Sequence, residues 1–243
     1  MITHARKNLS YGGTQLSSFG VYINGSGVFD SADPDVEFIR IPGRSGDLVR
    51  NRGRYTNIEI TYPTSFIVKD FDTQFRALKA FLLSKTDKYY QIEDDYQPDH
   101  FRMGVVDAGL SVSDIRWNGN AGSFDLRFNC KPQLYLKSGQ TNFALSDASG
   151  TITNSTSFTA RPLIRVSGAG TLTIGQTSIT VASHGFPFID IDSELMDCSC
   201  SGQNANQYVT VANEEYPVLK PGANNYAVDG FSRVIVTPRW WTL

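Results

Sequence analysis

The chain reads as a mostly β protein with one helix, in two domains, and three observations carry that expectation. Apolar and polar residues alternate with period two, most cleanly over Asn57–Tyr62 and Ser123–Cys130. Charged residues reach only 19 % while Gly, Ser, Thr and Asn are abundant, a balance that suits sheets joined by turns better than helices. One stretch alone, Phe71, Phe75, Leu78 and Leu82, repeats at helical spacing.

Taken in order, the elements begin at Asn57, where Ile58, Ile60 and Tyr62 share one strand face. Phe66 and Val68 start a second strand after Pro63-Thr64. Asp70 or Asp72 caps the helix, Arg76, Lys79 and Lys85 line its polar side, and Lys85 suits the negative end of its dipole. Short strands follow over Tyr89–Glu93, Phe101–Val106, Leu110–Trp117 and Ser123–Cys130, the last ended by Pro132. Residues 137–160 are rich in Ser, Thr, Gly and Asn, and beyond them come only short strands between turn signals: Leu163–Val166, Thr171–Ile174, Thr177–Val181, Phe188–Ile191, Tyr208–Val211 and Arg233–Thr237. That spacing over about 100 residues is the pattern of a β-sandwich. The boundary falls near 137–142, dividing the chain into residues 1–138 and 139–243.

Composition excludes several functions. Net charge is −2 with the basic residues dispersed, so no basic stripe offers itself to nucleic acid. No run approaches the ~20 apolar residues of a membrane span. The first residues, Met1 to Lys7, lack the apolar core of a signal peptide, so synthesis in the cytoplasm is expected. Cys130, Cys198 and Cys200 make an odd set without a paired framework, and Cys198-Ser199-Cys200 is too tight for a zinc knuckle, so reduced structural thiols are expected.

Catalytic groups are hard to assemble. His4, His100 and His184 sit in loop-like or terminal contexts, and neither a nucleophile elbow nor a Walker sequence exists. Gly168-Ala169-Gly170 lies between strands and reads as a turn. Asp94, Asp95, Asp99 and His100 could hold a hard cation or form an acidic solvated loop. Asp190, Asp192 and Glu194 share a strand face opposite Ile189 and Ile191; they could form a calcium site or an acid/base pair, but the pattern is what any half-exposed strand entering a turn shows. No partner that would poise a pKa is visible for either cluster. A glycoside hydrolase would have to draw on Asp94, Asp190 and Asp192; no cofactor is expected.

The densest basic stretch is different. Arg40, Arg44, Arg50, Arg52 and Arg54 fall within fifteen residues. Ile41-Pro42-Gly43-Arg44-Ser45-Gly46 is a tight turn, and the residues after it read as a long hairpin or loop edged with guanidinium groups. Such an edge is either solvated or an interface, since arginine suits wet, bidentate pairing between proteins.

A set of ordered motifs covers nearly the whole chain: Phe19-Gly20-Val21, Ile41-Pro42-Gly43-Arg44-Ser45-Gly46-Asp47-Leu48, Tyr55, Ile58-Glu59-Ile60, Ala80-Phe81-Leu82 and Phe128 to Tyr135 in the first half. Ala160-Arg161-Pro162-Leu163-Ile164-Arg165-Val166, Ile189 to Glu194, Tyr216 to Asn224 and Pro238-Arg239-Trp240-Trp241 follow in the second. Their order and spacing resemble the distal tail proteins of long-tailed, non-contractile bacteriophages and prophages.

The resemblance implies an N-terminal ring-forming domain built as a β-sandwich with a helix and a β-hairpin belt, and a C-terminal galectin-like β-sandwich. It implies a homo-oligomeric, hexameric ring in the virion tail, capping the tail tube and serving as hub for the tail fibre or tail-associated protein, the baseplate and the receptor-binding proteins. Arg44, Asp47, Arg50, Arg52, Arg54 and Tyr55 would then form the inter-subunit region. Galectins bind sugar through a His-x-Asn-x-Arg strand, which this sequence lacks, so the second sandwich reads as a docking platform. The alternative is a carbohydrate-binding module for the host cell wall, using Phe186, Phe188, Tyr208, Tyr216, Trp240 and Trp241.

Overall fold

The computed structural model describes residues 6–25, 28–111, 114–115 and 121–243; His4 and Trp117 lie outside them. The chain is mostly β with one helix. It divides into two compact units, one ending at Leu134 and including Leu243, the other spanning Tyr135–Thr242.

The strands of three or more residues in the first unit are β1 (Leu9–Tyr11), β2 (Val21–Ile23), β3 (Pro34–Ile39), β4 (Leu48–Tyr55), β5 (Ile58–Ile67), β6 (Tyr90–Asp94), β7 (His100–Val105) and β8 (Ala121–Leu136), with helix α1 (Phe71–Leu83) after β5. Apart from β3 and β4, they form one sheet in the order β1-β6-β7-β8-β5-β2, extended beyond β1 by the short strand Thr14–Gln15. A bridge between Lys7 and Ile23 brings the two ends of that sheet together. The N-terminal β architecture expected from the sequence takes the form of a sheet curled into a half-barrel around its own core.

Alternation puts Ile60, Tyr62, Thr64 and Phe66 of β5 and Phe124, Leu126, Phe128 and Cys130 of β8 into that core. Helix α1 covers it with Phe75, Leu78 and Leu82. The aromatic rings meet edge-on, Phe66 with Phe75 at 5.6 Å and Phe75 with Phe124 at 5.8 Å between centroids, the geometry ring quadrupoles favour. Of the two candidate caps, Asp70 is the one used: its Oδ1 accepts from the Thr73 N–H at 3.3 Å. Lys85 lies past the end of α1 and donates to the Gly12 carbonyl at 3.1 Å.

Two prolines do not end strands as the sequence suggested. Strand β5 runs unbroken through Pro63-Thr64. The Pro63 carbonyl accepts from the Asn24 N–H at 2.8 Å, just beyond β2, so the missing proline donor points away from β8 and removes no bond of that ladder. Strand β8 likewise continues through Pro132 to Leu136; its pairing with β5 has already ended at Cys130↔Ile58. Of the strand expected over 110–117, Leu110 and Ser111 are irregular, Asp114 and Ile115 pair with β8, and the rest lies outside the described residues.

The second unit is a two-layer sandwich. Its strands are β9 (Ser149–Asn154), β10 (Leu163–Ser167), β11 (Gly170–Ile174), β12 (Thr177–Val181), β13 (Ile189–Asp192), β14 (Asp197–Cys200), β15 (Val209–Val211), β16 (Gly222–Asp229) and β17 (Arg233–Thr237). One sheet runs β17-β10-β13-β14, flanked by the two-residue strands Phe143–Ala144 and Gln203–Asn204; the other runs β9-β16-β11-β12-β15. Ile164, Val166, Ile189 and Val236 from the first face Leu172, Ile174, Ile179 and Val181 from the second in a single core. Strand β9 lies in the Ser/Thr-rich stretch that had marked only a change of composition, and β16 begins at Gly222, inside the Tyr216 to Asn224 motif.

Phe128 is fully buried and packs on Tyr11 at 5.2 Å. Phe128→Ala is expected to lower stability by ~3–5 kcal/mol, checked by urea unfolding followed through Trp and Tyr fluorescence.

Candidate functional site

Among the described residues, strands β3 and β4 pair only with each other, as a ribbon separate from the other sheets. At its tip Pro42 and Gly43 build a reverse turn: the Arg44 N–H donates to the Ile41 carbonyl at 3.2 Å and Gly43 has φ 78°, the left-handed value that position needs. At its base the Thr56 N–H donates to the Asp33 carbonyl at 2.9 Å. The register runs Ile39↔Leu48, Phe38↔Val49, Glu37↔Arg50 and Val36↔Asn51, then shifts before Pro34↔Tyr55. The shift is a bulge holding Gly53 at φ 71°.

Register assigns the two faces. One carries Asp35, Glu37, Arg50, Arg52 and Arg54, together with Ile39 and Leu48. Arg54 Nε donates to Asp35 Oδ2 at 2.6 Å, and Arg52 Nη2 donates to Glu37 Oε2 at 3.2 Å. The other face carries Val36, Phe38 and Val49, and Phe38 and Val49 are 65 % and 57 % exposed. Leu48, 45 % exposed, adds apolar surface near the tip. A two-stranded ribbon is at best marginally stable in water, so one that also exposes its apolar face lacks a layer to pack on.

Of the residues singled out in the sequence, Arg50, Arg52 and Arg54 therefore share a face, Arg44 and Asp47 lie in the turn region, and Tyr55 sits half-buried at the base. Arg52 and Arg54 are held by the hairpin's own acids. Among the described residues no carboxylate comes within salt-bridge distance of Arg40, Arg44 or Arg50. Sequence reasoning missed Phe38 and Val49; the signal was the alternation Val36-Glu37-Phe38 opposite Val49-Arg50-Asn51, legible only once 34–39 is taken as a strand.

Of the acidic clusters, which seemed unpartnered, Asp94, Asp95, Asp190, Asp192 and Glu194 have partners within the chain. Asp94 Oδ2 accepts from Tyr62 Oη at 2.8 Å, while its Oδ1 accepts from the Tyr96 and Gln97 N–H groups. Asp95 accepts from the Asn8 N–H at 2.8 Å. On β13, Asp190 is bidentate with Arg165 at 2.7 and 2.8 Å, and that guanidinium lies 4.0 Å from the ring centroid of Phe188. Asp192 is bidentate with Arg239 at 2.7 and 2.8 Å, and Glu194 approaches the same guanidinium at 3.8 Å. Burial pushes the Asp192 carboxyl upward, but Arg239 and the Leu195 and Glu194 N–H groups outweigh it and hold the pKa below the usual carboxylate value.

The aromatic residues that could stack on sugar are largely spent on packing. Phe186, Tyr208, Tyr216, Trp240 and Trp241 lie against the sandwich core. Trp241 also stacks on Phe158 at 4.4 Å and donates from Nε1 to the Thr159 carbonyl. Cys130, Cys198 and Cys200 are all buried and free; burial pushes the Cys130 thiol up to about 12. Among the described residues no helix is long and apolar enough to cross a membrane.

No protein-family model and no curated protein sequence matches the chain. A solved structure does: "Crystal Structure of SPP1 Dit (gp 19.1) Protein, a Paradigm of Hub Adsorption Apparatus in Gram-positive Infecting Phages" superimposes with a TM-score of 0.74, covering 98 % of this chain and 100 % of that one at 15 % sequence identity. The chain thus has the fold of that protein, in line with the resemblance drawn from its motifs.

Two outcomes are expected here. Because the Asp192 pKa is lowered on folding, the pair stabilises the protein fully above the unfolded carboxylate value near ~4 and loses that contribution as pH falls from there through the lower folded value. Asp192→Asn should lower stability by ~3 kcal/mol at neutral pH and flatten the acid limb of stability against pH, measured by urea titration. The native thiols should resist a thiol-specific reagent at pH 8 and react only after denaturation.

Proposed function

We propose that this chain is a structural component of a phage tail, a distal tail protein that assembles into a homo-hexameric ring at the end of the tail tube. The observation that carries this reading is the β3–β4 hairpin, whose Phe38 and Val49 lie on one exposed face that no strand or helix among the described residues covers. A neighbouring subunit supplies a covering layer if the hairpin lies across it as a belt. The motif resemblance and the fold shared with SPP1 Dit, a protein described as a hub of the adsorption apparatus, support the same conclusion.

In this reading residues 1–138 form the ring and residues 139–243 form the docking face. Arg44 and Arg50 reach the neighbouring subunit, along with Asp47 and Tyr55, while Arg52 and Arg54 stiffen the ribbon through Glu37 and Asp35. The tail tube protein binds one side of the hub; the tail fibre or tail-associated protein, with the baseplate and receptor-binding proteins, binds the other. The role is mechanical, not catalytic. Against the carbohydrate-binding alternative stands the partial burial of Phe186, Tyr208, Tyr216, Trp240 and Trp241 on the sandwich core.

The test is the assembly state. Purified protein is expected to show six-fold rings by negative-stain microscopy, and Phe38→Asp with Val49→Asp to abolish them. Because both side chains are exposed, the melting temperature should move by no more than about 2 °C. A chain that stays monomeric at high concentration, even with its tail tube partner, would sink the proposal.

A further inference from the structure

Strand edges are where a β protein is open to association, because each edge presents unpaired N–H and C=O groups. Most edges of the described residues are blunted. Phe143–Ala144 and Gln203–Asn204 are two residues long, and β15 has three. Strand β3 carries Asp35 and Glu37, and β4 is bulged at Gly53 and lined with arginines. Strand β9 has none of these devices. It is a six-residue edge with unbroken register against β16, from Ser149↔Ala227 to Asn154↔Gly222. Its sequence, Ser-Gly-Thr-Ile-Thr-Asn, holds no charge and no proline.

The free side of β9 can be assigned residue by residue. The Val228 N–H donates to the Ala148 carbonyl at 2.7 Å, and the Gly175 N–H donates to the Asn225 carbonyl at 2.9 Å. Residues 148, 150, 152 and 154 therefore bond to β16, and the backbone groups of Ser149, Thr151 and Thr153 point outward. All three residues are exposed.

We propose that β9 pairs antiparallel with β9 of a second copy of this chain about a two-fold axis at Thr151, joining two five-stranded sheets into one. The sequence is complementary to itself in that register. Thr151 faces Thr151 and Ser149 faces Thr153, so every outward residue meets an outward residue, and about six backbone hydrogen bonds form. The Thr–Thr and Ser–Thr pairs are favourable cross-strand neighbours. Asp147 falls opposite Ser155, so no like charges meet. A contact of this kind is isologous and cannot lie between neighbours within a six-fold ring, whose contacts are heterologous. It joins two such rings, or two free chains, and does not depend on the ring.

Disulfide trapping in the full chain tests it. The native cysteines are buried, so an introduced thiol reacts alone. In a hydrogen-bonded antiparallel pair the Cα atoms are ~5.5 Å apart, within disulfide reach. Thr151→Cys should form a covalent dimer under mild oxidation at least ~10-fold faster than Thr153→Cys, whose own copies would lie ~13 Å apart along the strands. A Ser149→Cys chain mixed with a Thr153→Cys chain should cross-link as well. Thr151→Lys, which sets two like charges on the axis, should abolish the dimer seen by sedimentation. Cross-linking of Thr151→Cys no faster than Thr153→Cys overturns the proposal, whatever becomes of the ring. Trapping in the ring-less Phe38→Asp/Val49→Asp background would show that the two contacts are independent.

Discussion

Each β-strand turns half of its peptide groups to one side and half to the other, and a buried or exposed edge must do something with the groups left over. That constraint organises this chain more than any single side chain. In the first unit the sheet curls until the Lys7–Ile23 bridge brings its ends together, so the longest strands, β5 and β8, lie in its interior. In the second unit most edges are reduced to two or three residues. What the fold leaves unpaired among the described residues is therefore informative: a ribbon with an open apolar face and a strand with an open backbone edge.

The ribbon illustrates why charge alone is a poor guide to contact surfaces. Its arginines drew attention in the sequence, yet Arg52 and Arg54 are engaged by Glu37 and Asp35 across the ribbon. Exposed pairs of this kind contribute roughly 0–1 kcal/mol each, enough to bias a ribbon toward one twist but not to bury its other face. If the ribbon packs on a neighbour as proposed, the energy comes from its other face, from Phe38 and Val49, whose burial would remove apolar surface from water at ~25 cal/mol per Å². In such a contact the charged face would set orientation and the apolar face affinity, the usual division at interfaces.

What could be read from the sequence follows the same physics. Helix α1 and strands such as β10, β12 and β17 were legible because their apolar residues are large and regularly spaced. Strand β9 was not, because its inward positions are Gly150, Ile152 and Asn154, and only Ile152 is a strong hydrophobic signal. Pro63 and Pro132 looked like terminators because proline's cost depends on which neighbour its missing N–H would have faced, a tertiary fact. The acidic strand was located correctly but not its chemistry, since Arg165 and Arg239 stand 25 and 47 residues from the carboxylates they hold. Alternation announces a strand's own faces; it says nothing of what crosses from elsewhere.

Arg239 shows how such a long-range pair can shape the backbone. It adopts φ 57°, a conformation that costs a side-chain-bearing residue roughly 1–2 kcal/mol. Its guanidinium is fixed by both oxygens of Asp192, and its N–H donates to the Gly139 carbonyl at 2.7 Å. Gly139 has no room for a side chain, since an added Cβ would lie 2.3 Å from the Trp240 nitrogen. The ion pair thus offsets a strained turn and draws the C-terminal segment onto residues 136–139, where the Leu136 N–H also donates to the Trp240 carbonyl. Glycine at 239 would remove the strain but also the bridge to Asp192, leaving that half-buried carboxylate uncompensated. The strain is tolerated because the alternative is an unpaired charge, which costs more.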